Sequence, residues 1–205
     1  SKAKTSQIEI SLETKDFFSE YLEDQNHQGL ALLCNKRIEE QESFLDKLLE
    51  KESLLLLILD HITDPHNVGA CLRSAAAANV DAVIVPKDRS CHLTPTVRKV
   101  SSGGSELVPF VVVTNLVRTI KKMKLSNVNI VGAEKNGEMD YKEIVLEKKN
   151  ALIIGSEDKG LKKLTAENCD TLIRVDLPGS VESLNASVAC GILLFEFVSK
   201  SENFI

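Results

Sequence analysis

From residue 53 onward, short aliphatic runs alternate with longer stretches in which apolar residues recur every three or four positions. Runs at 54–59, 82–85, 108–112, 128–131, 151–154 and 172–175 predict short strands. Helical spacing at 67–78, 94–100, 115–123 and 184–198 predicts helices, with a short turn near Leu161. Strands that are aliphatic rather than alternating are those buried on both faces. The regular strand-helix succession therefore predicts an α/β fold with a mostly parallel sheet and helices on both faces.

The first fifty residues break this rhythm. They read as a strand-like 8–12, an acidic helix over 17–22, an apolar 30–33 and a charged stretch at 37–51. Too little of this is apolar for an independent core, so residues 1–50 are expected to be part of a small separate unit plus a linker, and 51–205 the main domain. The chain starts at Ser1 rather than Met, which leaves open a lost targeting segment and so an organellar origin.

Composition narrows the picture. With 205 residues and 43% hydrophobic content, one sizeable core is expected, and no apolar run is long enough for a membrane span. The five cysteines (Cys34, Cys71, Cys91, Cys169, Cys190) are scattered without any C-x-x-C pair, which points to reduced thiols in a cytoplasmic protein. Neither they nor His27, His61, His66 and His92 have metal-ligand spacing, so no metal is expected. The net charge of −5 does not point to nucleic acid, although Lys87, Arg89, Arg98 and Lys99 form one basic stretch, Lys121, Lys122 and Lys124 a second, and Lys159, Lys162 and Lys163 a third.

Three segments gather polar groups where strands end or helices begin. The first, Leu59-Asp60-His61-Ile62-Thr63-Asp64-Pro65-His66-Asn67-Val68-Gly69-Ala70-Cys71-Leu72-Arg73-Ser74, takes a strand through an Asp-Pro turn into a helix. Arg73 lies six residues past Asn67, about 120° round a regular helix, so the two converge only if Asn67 sits at the helix mouth. In the second, Ile154-Gly155-Ser156-Glu157-Asp158-Lys159-Gly160-Leu161, a strand ends at a glycine that lets a ligand approach the backbone. There Glu157 either orients a base or an Arg, or serves as a helix-start charge. The third, 177–189, passes Pro178-Gly179 and offers Ser183 and Asn185 at the mouth of the last helix, either as a ligand site or as an ordinary cap. No early strand is followed by G-x-G-x-x-G, which leaves a dinucleotide fold or a Rossmann-type methyltransferase loop without support.

In this order, the three segments resemble the SpoU, or TrmH, family of ribose 2′-O-methyltransferases within the SPOUT superfamily. The resemblance extends from Leu54 to Lys200, and Val85-Pro86-Lys87-Asp88-Arg89-Ser90 is similar to the branch that methylates a guanosine of bacterial large-subunit ribosomal RNA. The resemblance implies a C-terminal trefoil knot, S-adenosylmethionine as cofactor and action as a homodimer. It also implies that His27-Gln28-Gly29-Leu30-Ala31 ends a small RNA-binding domain similar to a ribosomal protein, here only partly present. By the same resemblance Asn67, Arg73, Glu157, Ser183 and Asn185 form the catalytic site, while Ala133, Gly155, Val175, Leu177 and Leu184 hold the cofactor. A guanidinium holds its proton too tightly to be a comfortable base. Arg73 is therefore expected to stabilise a developing alkoxide or clamp a phosphate, oriented by Glu157. Two other readings remain open: a transfer-RNA ribose methyltransferase, and a catalytically silent RNA-binding or ribosome-assembly protein.

Overall fold

The computed structural model describes residues 9–22, 29–31 and 38–201. The chain divides into two compact units, Ser1–Lys36 and Arg37–Ile205. In the first, helix α1 spans Lys15–Leu22. The strand expected at 8–12 does not form over residues 9–12, where Leu12 is 98% exposed and no described strand lies alongside. Most of 23–37 lies outside the described residues, including His27 and Gln28 of the segment expected to end an RNA-binding domain and much of the apolar 30–33.

The second unit is built on one sheet. Its elements are β1 (Glu40–Gln41), α2 (Phe44–Leu49), β2 (Leu54–Asp60), α3 (Pro65–Ala77), β3 (Ala82–Pro86), α4 (Pro95–Val100), α5 (Gly104–Leu107), β4 (Phe110–Val113), α6 (Leu116–Leu125), β5 (Asn129–Ala133), β6 (Met139–Asp140), a 3₁₀ turn (Tyr141–Glu143), β7 (Lys149–Gly155), α7 (Lys163–Ala166), β8 (Thr171–Arg174) and α8 (Ala186–Lys200). The strand order is β1-β4-β3-β2-β7-β5-β8-β6, and every described pairing between these strands is parallel. The predicted fold class is thus the observed one. Strands β1 and β6 are two-residue edge strands, too short to leave a hydrophobic period in the sequence.

Alternation along β2 explains why it is apolar throughout. Leu55, Leu57 and Leu59 enter a core with α3 and α8, while Leu54, Leu56 and Ile58 enter a second core with α2 and α6. Within 38–51 the chain is packed rather than a free linker: β1 pairs with β4, and Leu45, Leu48 and Leu49 of α2 are buried in that second core. Only Asp46 and Lys47 mark the exposed side of this six-residue helix, which is too short for a clear period in the sequence.

Helix starts follow local chemistry. The Asp64 carboxylate accepts the His66 N–H at 3.0 Å, Thr94 Oγ1 accepts that of Val97 at 3.2 Å, and Asn115 Oδ1 accepts that of Arg118 at 3.0 Å. Pro65 and Pro95 open their helices, where a missing N–H costs no hydrogen bond. Pairing of β2 with β7 brings Asp60 level with Gly155, so the first two polar segments leave the sheet side by side.

Candidate active site

The carboxyl ends of β5, β7 and β8 and the start of α8 enclose a cleft of about 770 Å³. Open α/β sheets place ligands at this end of their strands, and the volume falls in the range of small-molecule sites. All five residues expected to hold the cofactor line it: Ala133, Gly155, Val175, Leu177 and Leu184. Glu157 and Ser183 line it as well. Its charged residues are mainly acidic, with Glu134, Glu157, Asp158, Asp176 and Glu182 against Lys135 and Lys159.

A polar hub joins the three segments. Asn185 Nδ2 donates to Asn67 Oδ1 at 2.9 Å and also to Glu157 Oε1, which in addition accepts the Ala186 N–H at 3.3 Å. On its other side, Asn185 Oδ1 accepts the N–H groups of Ser187 and Val188 at 2.9 and 3.3 Å and the Ser187 hydroxyl at 2.6 Å. The Asn185 amide is therefore both the cap of α8 and the link to the other two segments, a role that needs a donor and an acceptor on one side chain. Helix α8 starts at Ala186, not at 184, because Asn185 is spent on that cap. Glu157 is a helix-start charge too, but at α8 rather than at the helix following it in sequence.

Arg73 stands apart from this hub. Its side chain is exposed, Nη1 donates to Ser102 Oγ at 3.4 Å, and it is absent from the cleft lining. The expected Glu157–Arg73 contact is replaced by the bonds of Glu157 to Asn185 and Ala186. Asn67 lies within the first turn of α3, so the helical offset turns Arg73 away. Cys71, in the same segment, is fully buried. Hydrogen bonding to Cys71 and then burial push the Cys190 thiol well above its usual value, so both act as packing groups.

Gly155 lines the cleft and serves a second purpose besides. A Cβ there would lie 2.2 Å from the carbonyl carbon of Gly160, so it is the chain's own backbone that needs the space. Ser156 N–H donates to Gly160 O at 3.1 Å and Gly160 N–H to Ser156 O at 2.8 Å, closing a small loop with Glu157, Asp158 and Lys159 at its tip. Gly160 has φ +62°, in the left-handed region open to glycine.

Comparison with known proteins identifies the family. Residues 54–195 match the SpoU rRNA Methylase family. The 23S rRNA (guanosine-2′-O-)-methyltransferase RlmB of Coxiella burnetii is 50% identical over 183 residues, 88% of this chain and 73% of that protein. The protein of the same name from Vibrio cholerae is 49% identical over 177 residues, 86% of this chain and 72% of the relative. The chain belongs to the SpoU family. Among solved structures, the SpoU methyltransferase AviRb from Streptomyces viridochromogenes in complex with the cofactor AdoMet superposes with a TM-score of 0.68 at 26% identity, over 74% of this chain and 62% of that one. The AdoMet-bound rRNA methyltransferase from Sinorhizobium meliloti gives 0.69 at 25% identity, over 79% of this chain and 60% of its own.

This SpoU chain also holds its site with residues to which sequence reasoning gave no role. Asp60 is fully buried, with Oδ1 against His61 Nδ1 and Oδ2 accepting the Lys162 N–H at 2.8 Å. Glu134 Oε1 accepts the Leu161 N–H at 2.7 Å. Lys135 Nζ meets Glu182 Oε2 at 3.1 Å, joining two lining residues of the cleft. One signal was available: a carboxylate closing an unbroken aliphatic strand has to find hydrogen-bond donors inside the fold.

The close approach at Gly155 makes a definite prediction. Gly155→Ala should destabilise the second unit by about 1–3 kcal/mol, through overpacking against Gly160, and weaken cofactor binding as the loop shifts. Urea unfolding and calorimetry check both, and unchanged stability would contradict the backbone contact.

Proposed function

We propose that this chain, an S-adenosylmethionine-dependent ribose 2′-O-methyltransferase acting on a guanosine of 23S ribosomal RNA, prepares its site through the Asn67–Asn185–Glu157 hub. The observation carrying this reading is the single Asn185 amide that ties all three segments together at the edge of the cleft. Asn67 and Glu157 hold that amide from two sides, so the start of α8 and the tip of the 156–160 loop take fixed positions before any ligand binds. Ser183 adds a hydroxyl at the cleft wall.

The residues present fit the cofactor. Ile154, Val175, Leu177, Leu184 and Leu193 supply apolar surface for a nucleoside, and the acidic excess suits a ligand that carries a sulfonium. S-adenosylmethionine brings a methyl group on a good leaving group, so the protein has only to align acceptor and donor. Ala133, Gly155, Val175, Leu177 and Leu184 are the residues proposed to hold it. Arg73 sits outside the cleft with its fork exposed, which suits an RNA phosphate or the oxyanion forming at the 2′ position.

Further features extend the proposal. Several basic residues are committed within the second unit: Arg98 to Glu106, Lys122 to Asp46, Lys124 to Asp170 and Lys163 to Glu167. Residues 1–36 are proposed to be part of an RNA-binding domain, as the resemblance to the SpoU family implies. Val188, Ile192 and Phe195 are exposed at successive turns of α8 and form the face proposed for a homodimer. A trefoil knot through the C-terminal strands is part of the same proposal, as is a cytoplasmic location, where the ribosomal RNA is found.

Calorimetry should detect S-adenosylmethionine and S-adenosylhomocysteine binding to the wild-type chain and, within about twofold, to Arg73→Lys. Single-turnover methylation by that variant should fall at least about tenfold, because the planar fork is lost while the charge remains. Absence of cofactor binding would overturn the enzymatic reading, and a normal rate in Arg73→Lys would show the fork to be dispensable. Removing residues 1–36 should leave cofactor affinity unchanged while weakening RNA binding and flattening its salt dependence by roughly one unit of slope for each phosphate no longer neutralised. Equal slopes would place capture in the second unit alone. In sedimentation, the wild type should run as a dimer and Phe195→Glu as a monomer; a dimeric variant would assign the interface to another face.

A further inference from the structure

The return limb of the loop that carries Glu157 is held from beneath by two carboxylates. Strand β7 is flanked by β2 and β5, and each neighbour ends next to an acidic residue: Asp60 closes β2, and Glu134 follows β5. These two side chains accept consecutive backbone N–H groups, Asp60 that of Lys162 at 2.8 Å and Glu134 that of Leu161 at 2.7 Å. The Glu134 backbone is fixed in turn, its N–H donating to Ile173 O at 2.9 Å on β8. Just ahead of the clamp, the reciprocal Ser156–Gly160 bonds and the packing of Gly160 on Gly155 close the loop. The tip bearing Glu157 therefore has little freedom.

Asp60 is the telling member of the pair. A fully buried carboxylate is costly to desolvate, and its described partners are a backbone amide and a histidine rather than an Arg or Lys. His61 meets it from a left-handed backbone conformation, φ +61°, that is uncommon for a side-chain-bearing residue. Asp60 also lies on the sheet face opposite the α3–α8 core, in phase with Leu54, Leu56 and Ile58, and it does not line the cleft. Anything it does for catalysis has to travel through the loop.

We infer that Asp60, together with Glu134, is a positioning residue for methyl transfer: by pinning the amides of residues 161 and 162 it sets where the Glu157 carboxylate meets Asn185. The inference rests on the reading of the hub given above. Glu157 can hold the Asn185 amide only if its loop returns to the sheet at the right height, and the two carboxylates set that height.

The test uses the full chain with Asp60→Asn, which keeps an acceptor of the same size, and Asp60→Leu, which fills the space without one. Lys162 amide exchange should rise at least about tenfold in Asp60→Leu relative to the β7 amides and remain near wild type in Asp60→Asn. At saturating cofactor, single-turnover transfer should drop about tenfold in Asp60→Leu and recover in Asp60→Asn. In a Glu157→Ala background, Asp60→Leu should add less than about twofold, since a residue acting through Glu157 has nothing left to position. A wild-type rate in folded Asp60→Leu, or a fully additive loss in the double variant, overturns the inference. A wild-type rate in Glu157→Ala alone overturns the reading of the hub and this inference with it. If Asp60→Leu fails to fold, Asp60→Ala takes its place, with the same criteria applied to the Lys162 amide.

Discussion

The site depends on one side-chain amide. Asn185 faces two ways: its oxygen satisfies N–H groups at the start of α8, and its nitrogen reaches Asn67 on α3 and Glu157 on the 156–160 loop. An aspartate at this position could cap the helix but could not donate; a lysine could donate but could not cap. With three elements meeting at one planar group, a shift in any of them is felt by the other two. The segments are far apart in the chain, so this junction exists only once the sheet has formed.

The sheet makes the junction possible through register. Pairing of β2 with β7 sets Asp60 beside Gly155, and pairing of β5 with β7 sets Ala133 beside Ile154. The strand ends therefore present their loops at one level, where acidic residues from the two neighbours of β7 can take its amides. The same arrangement explains both glycines of the loop. Gly155 has no room for a Cβ against the Gly160 carbonyl group, and Gly160 takes a conformation that side chains disfavour. The loop is rigid for structural reasons, and that rigidity serves the hub.

Charge is divided between the two tasks of a SpoU enzyme. The cleft is acidic, in keeping with a sulfonium-bearing cofactor, whereas the exposed Arg73 lies outside its lining.

The sequence by itself determined the α/β class, since aliphatic runs spaced by helical periods have few other uses, and the resemblance carried by its three motifs singled out Asn67, Glu157 and Asn185, which meet in the hub, and Ala133, Gly155, Val175, Leu177 and Leu184, which line the cleft. Local capping at Asp64, Thr94 and Asn115 was equally a matter of sequence, because a cap depends on neighbours two or three residues away. The sequence could not show that 38–50 belongs to the core, because β1 and α2 are too short to carry a period. Nor could it show that Arg73 points away from Glu157, that Gly155 makes room for Gly160, or that Asp60 and Glu134 clamp one loop. The Gly155 contact closes a local loop, and the others join residues up to about a hundred positions apart through the pairing of parallel strands. Contacts at such range leave no periodic trace along a chain, and only the tertiary structure decides them.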